Sequence, residues 1–182
     1  SEVPMTKAPC RCAKKYRITA PLSIVMTDYD KHALLLTPGL QHYFVSTEKM
    51  KWKMMRSGIE EKRIAVSGIP VDPIFYEKKS IEELKTKYAI PANKKIILVL
   101  SGGQGMTESD KIVEGLFDSA KNTVIIAIAG KNKKLEKSLR KLTPPKEIDV
   151  RIVGWTDAMD EYMRIADVII SKPGGMTTTE CM

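Results

Sequence analysis

The second half of the chain alternates short apolar runs with helical patterns, and this most restricts its fold. Ile96–Leu100, Thr123–Ala129, Val150–Val153 and Val168–Ile170 have the length and composition of strands. Between them lie helical stretches. Over Thr107–Ala120, Ile112, Val113, Leu116 and Phe117 share one face. Leu135–Leu142 is a second helix, stopped by Pro144-Pro145, and Ala158–Ile165 a third, with Met159, Tyr162 and Met163 at core spacing. A further helix begins at Thr177. This order, with strands apolar throughout, predicts an α/β fold whose parallel sheet is covered on both faces.

The first half carries the same signals less densely. Leu22–Thr27, Tyr43–Ser46 and Arg63–Ser67 read as strands. Thr47–Ser57 reads as a helix with Met50 and Met54 one turn apart and Gly58 as its stop. Met50, Trp52, Met54 and Met55 are expected mostly to pack this half, because the segment lacks the long one-sided apolar stripe of an interfacial helix. Gly68-Ile-Pro70-Val-Asp72-Pro73 continues neither strand nor helix and reads as a linker. The expected division is therefore 1–72 and 73–182. Ser80-Ile-Glu-Glu83 forms a capping-box pattern at the start of a helix to about Tyr88.

The net charge of +8 favours anionic partners such as nucleotide phosphates, nucleic acid or an anionic membrane surface. No helix-turn-helix, stacked-aromatic or zinc pattern supports nucleic acid. Three cysteines give no disulfide framework, so a reducing compartment is expected. Cys10-x-Cys12 lacks a second ligand pair, and no metal site is expected. The chain begins at Ser1 and stops at Met182 inside a helical pattern, so it reads as part of a longer protein.

In open α/β sheets ligands sit outside the carboxyl ends of the strands, and four turns there carry unusual residues. Ser101-Gly102-Gly103-Gln104-Gly105 runs from strand to helix, where glycines let an anion approach the backbone and helix N–H groups. It is neither a Walker loop nor a dinucleotide fingerprint. Gly130-Lys-Asn132-Lys-Lys134 brings three lysines to the same edge, as a ligand contact or as a solvated basic turn. In Gly154-Trp155-Thr156 the tryptophan either lines a base pocket or is a core aromatic. Gly174-Gly175 opens a helix rich in hydroxyls, with Thr178, Thr179 and Glu180. A carboxylate such as Glu180 can accept from both hydroxyls of a ribose.

The SGGQGM turn, the GKNKKL stretch, the GWTDAMDEYMRIADVIISKPGG segment and the TTTE after it resemble the C-terminal domain of GT-B glycosyltransferases. IVMTDYDKHALL, YFVSTE and GIEEKRIAVSGIPVDPIF extend the likeness from about Pro21 to Met182. Within that group it looks like the monogalactosyldiacylglycerol synthases and the bacterial processive diacylglycerol glucosyltransferases. The resemblance implies two Rossmann-like domains, the first partly present and the second cut at its C-terminal end. Gly102, Gly103, Gln104 and Gly105 would then meet the diphosphate, Trp155 and Thr156 would border the uracil, Thr178 and Thr179 would lie near the phosphates, and Glu180 would hold the ribose. Gly130 and Asn132, with Gly174 and Gly175, complete the expected donor contacts. Asp28, Tyr29 and His32 would face acceptor and cleft, with His32 and Asp28 as catalytic candidates. Ala-Leu-Leu follows His32 where the plant enzymes have Pro and Trp.

By this resemblance the expected function is inverting transfer of galactose or glucose from UDP-galactose or UDP-glucose to the 3-hydroxyl of diacylglycerol, without a cofactor. No Asp-x-Asp stands at a suitable turn, since Asp28-Tyr-Asp30 is in the other half. The expected location is cytoplasmic, peripheral to the inner face of the cell membrane. Competing readings are an N-acetylglucosaminyltransferase acting on cell-wall lipid intermediates and a nucleotide-binding piece without turnover.

Overall fold

The computed structural model describes residues 12–17, 19–30, 39–101, 108–119 and 121–182. Contacts divide the chain into two compact units. One holds the described residues up to Val71 together with Gly174–Glu180, and the other holds Asp72–Pro173.

The first unit has a three-stranded parallel sheet, β1 (Ser23–Val25), β2 (His42–Val45) and β3 (Ile64–Val66), in the order β1-β2-β3. Helix α1 (Glu48–Met55) starts where Thr47 caps it, its side chain accepting from Met50 N at 3.2 Å. Met50 and Met54 are fully buried and join Met26, Leu40, Tyr43, Val45 and Ile64 in one core. Trp52 and Met55 are exposed, so only half of the expected methionine and tryptophan packing exists. The spacing explains this: positions 50 and 54 share a face that 52 and 55 cannot occupy. Gly58 ends the turn with φ +89°.

The last helix begins at Gly175, two residues before the sequence expectation, and runs to Glu180. Gly175 is buried, and a Cβ there would lie 2.0 Å from the Thr27 carbonyl oxygen, so the close approach requires glycine. Its neighbour Gly174 meets open space.

The second unit is doubly wound. Strands β4 (Lys95–Leu100), β5 (Thr123–Ile128), β6 (Asp149–Val153) and β7 (Val168–Ser171) form a parallel sheet in the order β6-β5-β4-β7. Every residue of β5 is buried. On one face Ile96, Leu98, Leu100, Val124, Ile126 and Ile128 meet Leu84 of α2 (Ile81–Lys87) and Met163 and Ile165 of α5 (Met159–Ile165). On the other, Val99, Ile125, Ala127 and Ala129 meet Val113 of α3 (Ser109–Gly115) and Leu135 and Leu139 of α4 (Lys133–Leu139). The period-two alternation of each strand sends neighbouring residues to opposite faces.

Helix ends differ from the sequence expectation for local reasons. Helix α3 stops at Gly115, a poor helix former, and Leu116, Phe117 and Ser119 make tightened i to i−3 bonds. Residues 107 and 120, the expected ends, lie outside the described residues. Helix α4 starts two residues early because Asn132 caps it, accepting from Leu135 N at 3.0 Å, and it tightens at Lys141 and Leu142. At α2, Ser80 Oγ accepts from Glu83 N at 3.3 Å, but its hydroxyl donates to Glu82 rather than Glu83 reaching back.

Asp167 joins the starts of β4 and β7. Its carboxylate accepts from Ile96 N at 2.9 Å and Lys95 Nζ at 2.8 Å, while its own N–H donates to Ile96 O at 2.9 Å. The Lys95 hydrogen bond, then the Ile96 N–H and the lysine charge, hold its carboxyl below the ordinary value of 3.8. A carboxyl depressed in the folded state contributes stability above its unfolded pKa, and loses it as pH falls through the folded value. Asp167→Ala should cost about 1 kcal/mol in urea unfolding at pH 7. The deficit should shrink below about pH 4, as the carboxylate titrates in both states; a pH-independent deficit would show that the charge is irrelevant.

Gly175→Ala drives a methyl group into the Thr27 backbone carbonyl, which no rotamer can relieve. It should destabilise the protein by about 1–3 kcal/mol, whereas Gly174→Ala should cost less than half as much. Thermal unfolding of the two variants side by side checks the contrast.

Candidate functional site

The sheet of the second unit grows from β4 through β5 to β6, then returns to place β7 on the other side of β4. Strand order reverses between β4 and β7, and in open α/β sheets the carboxyl ends at such a reversal are where ligands bind. There Leu100 pairs with both Ile128 and Ser171. Ser101, the next residue, is only 3% exposed. Its hydroxyl donates to Ile128 O at 2.8 Å and its N–H to the same carbonyl at 3.3 Å. The exit of β4 is thus fastened to the end of β5. Gly102, Gly103, Gln104 and Gly105 follow it in sequence and lie outside the described residues.

The exit of β5 is fastened in turn to β6, with Ala129 N donating to Val153 O at 2.8 Å. Gly130 then turns the chain with φ +60°, and Asn132 N donates back to Ala129 O at 3.3 Å. The Asn132 side-chain oxygen is occupied by the α4 cap. Lys131 projects from this turn with its ammonium 4.3 Å from the centroid of the Trp155 ring. Trp155 is 57% exposed, which removes the core-aromatic reading. Thr156 turns its hydroxyl inward, accepting from Ala158 N at 3.1 Å just before α5. Lys133 is paired with Glu136 at 3.0 Å, and Arg140 and Lys133 together hold the Glu136 carboxyl below its ordinary value. The rim therefore presents a cation and an exposed indole side by side.

The remaining expected residues belong to the first unit. Ser46 Oγ donates to the Asp28 backbone carbonyl at 2.8 Å, fixing the turn after β1, and the Asp28 side chain is exposed. In α6 (Gly175–Glu180) the Thr178 and Thr179 hydroxyls donate to Gly174 O and Gly175 O at 2.9 and 2.7 Å. Both oxygens keep lone pairs, and Thr179 Oγ1 also lies 2.8 Å from the Tyr29 hydroxyl. Glu180 is half-buried with no side-chain partner among the described residues, and desolvation raises its carboxyl above the ordinary 4.5. A carboxyl held this way lacks donors, which polyhydroxyl groups can supply. His32 lies outside the described residues.

Two residues of the rim escape the sequence reading. Ser101 reads only as the start of a glycine turn, yet it anchors β4 to β5. Lys131 reads as one of three turn lysines; the neighbouring order of β5 and β6 singles it out, because it puts the residue after Gly130 beside the residue after Gly154. Among the described residues no three His, Cys, Asp or Glu side chains group as metal ligands, and no helix is long and apolar enough to cross a membrane.

Two family models divide the chain between them. That of monogalactosyldiacylglycerol (MGDG) synthase matches residues 3–71, and that of the glycosyltransferase family 28 C-terminal domain matches residues 96–182. The processive diacylglycerol beta-glucosyltransferase of Bacillus subtilis is 32% identical over 161 residues, covering 88% of this chain and 42% of the relative. The enzyme of the same name from Staphylococcus epidermidis is 31% identical over 168 residues, covering 92% of this chain and 43% of the relative. The chain thus spans less than half the length of these curated relatives. Among solved structures, Acinetobacter baumannii MurG superimposes with a TM-score of 0.60 at 14% identity, over 98% of this chain and 53% of that one. Anabaena HepE in complex with UDP-glucose gives 0.60 at 13%, over 96% and 54%. These likenesses agree with the α/β fold of GT-B type, and the chain belongs to the family of the monogalactosyldiacylglycerol synthases and processive diacylglycerol glucosyltransferases.

Proposed function

We propose that the protein transfers a hexose, glucose or galactose, from a UDP-sugar to the hydroxyl of diacylglycerol with inversion. The observation that carries this reading is the 32% identity, over 88% of the chain, to a relative named for diacylglycerol glucosylation. The exposed cation and indole on the carboxyl rim support a donor with an anionic and an aromatic part. The fold neighbour solved with UDP-glucose supports the same donor class.

In the proposed reaction the lipid hydroxyl oxygen attacks the anomeric carbon, and the bond from that carbon to the β-phosphate oxygen breaks. Its electron pair leaves with UDP, and the hydroxyl proton passes to a general base. His32 and Asp28 are the candidates for acceptor-side roles. Charge developing on UDP is met by backbone N–H groups and lysine at the rim, without a separate cofactor. Gly102, Gly103, Gln104 and Gly105 take the diphosphate, with Thr178 and Thr179 near it. Gly130, Asn132, Gly174 and Gly175 shape the turns, Trp155 and Thr156 border the base, and Glu180 takes the ribose. The acceptor lipid and the net charge of +8 support peripheral attachment to an anionic surface, the inner face of the cell membrane. Outward-facing Trp52, with Arg56 stacked on it at 4.9 Å, is suited to such a surface.

Titration calorimetry should detect UDP binding, and diacylglycerol vesicles with UDP-glucose or UDP-galactose should yield a monohexosyl lipid with the full-length enzyme. Absence of UDP binding by the full-length enzyme would sink the reading; turnover with UDP-N-acetylglucosamine and cell-wall lipid alone would redirect it.

Glu180→Ala should weaken UDP about tenfold or more while barely changing inorganic diphosphate, since only UDP carries the ribose. Because burial raises the Glu180 carboxyl, UDP binding to the wild type should weaken with acid from above the ordinary value of 4.5, and the variant should lose that dependence. Equal losses for both ligands would argue against a ribose role.

A further inference from the structure

Lys131 stands at the exit of the strand between two others. On one side Gly154 and Trp155 follow β6, and on the other Ser101 follows β4. Adjacent strands lie about 4.8 Å apart, so a lysine stem can reach over either neighbour from the middle position. The turn that bears it is held by backbone atoms: Ala129 N to Val153 O, Asn132 N to Ala129 O, and the Gly130 φ of +60°. Its side chain is exposed and makes no ion pair among the described residues; its partner is the Trp155 ring face at 4.3 Å.

That ring is exposed on the rim, and an ammonium over its face competes with any planar ligand that would stack there. Resting on the UDP-sugar reading above, we infer that Lys131 is a positioning residue that exchanges partners: a pyrimidine takes the Trp155 face, and the displaced ammonium turns toward phosphate oxygens on the β4 side. The exchange links two parts of one ligand. A base alone must evict the cation without recompense, whereas a nucleoside diphosphate supplies the evicted cation with a new partner. The arrangement therefore discriminates against nucleosides and in favour of their diphosphates.

The test compares uridine and UDP by calorimetry on the wild type and on Lys131→Met, which keeps the stem and removes the charge. Uridine should bind the variant about two- to fivefold more tightly, the value of an exposed cation–π contact. UDP should bind about tenfold more weakly, the value of one charge-assisted phosphate contact. Lys131→Arg should restore UDP binding. Lys137→Ala, which removes the same charge from the last turn of α4, should leave both ligands unchanged. Within these 182 residues Trp52→Phe leaves Trp155 as the sole tryptophan, and its emission should respond to uridine in that background. Parallel weakening of both ligands, no change in either, or a UDP loss reproduced by Lys137→Ala would overturn the exchange while leaving the donor site standing. Failure of the wild type to bind UDP at all would overturn the donor-site reading, and the exchange with it.

Discussion

Strand β5 is buried from Thr123 to Ile128, and most of the second unit follows from that burial. A strand with no solvent-facing side needs helices on both faces and neighbours on both edges. Helices α2 and α5 close one face, α3 and α4 the other, and β4 and β6 satisfy its backbone. Once β5 is central, its exit lies between two other exits. The turn at Gly130 then becomes the middle of the rim.

The same enclosure explains why the second unit was readable in the sequence and the first less so. Runs such as Ile96–Leu100 and Thr123–Ala129 are apolar on both faces, and their strands appear within a residue or so of those limits. Strand β1, with only Ile24 half-buried between exposed Ser23 and Val25, is shorter than the apolar run that suggested it. Helix boundaries were less legible because caps decide them: Asn132 starts α4 early, and Gly115 ends α3 early. At the site, the positions of Gly130, Trp155 and Thr156 at strand exits followed from the alternation alone. The pairing of Lys131 with Trp155 did not, because it depends on which strands are neighbours, and strand order is not written in local periodicity. Gly175 is a similar case. A double glycine signals a turn, but only the approach of the Thr27 carbonyl distinguishes the second glycine from the first.

Electrostatics in the second unit are divided by location. Away from the rim, several acids and bases are paired: Lys79 with Asp160 at 2.6 Å, Lys87 with Glu161 at 2.6 Å, Lys95 with Asp167 at 2.8 Å. Arg164 adds bonds to the Phe75 and Glu77 carbonyls and secures the segment that follows the linker prolines. These pairs join elements distant in sequence. On the rim, Lys131 faces an aromatic ring and has no carboxylate partner among the described residues, so none of them cancels its charge. A cation kept without a counter-ion remains available to an incoming anion.

The fastening of the rim turns has a consequence for how such a site diversifies. Ser101 and Ala129 tie each strand exit to the carbonyl of the next strand, and at Ala129 the tie is made entirely by backbone atoms. The side chains that a ligand would meet, Lys131 and Trp155, are exposed and carry little of the folding energy. Replacements at these two positions can accumulate with small effect on the scaffold, so lineages sharing this framework are free to drift in the nucleotide they accept before their stability is tested.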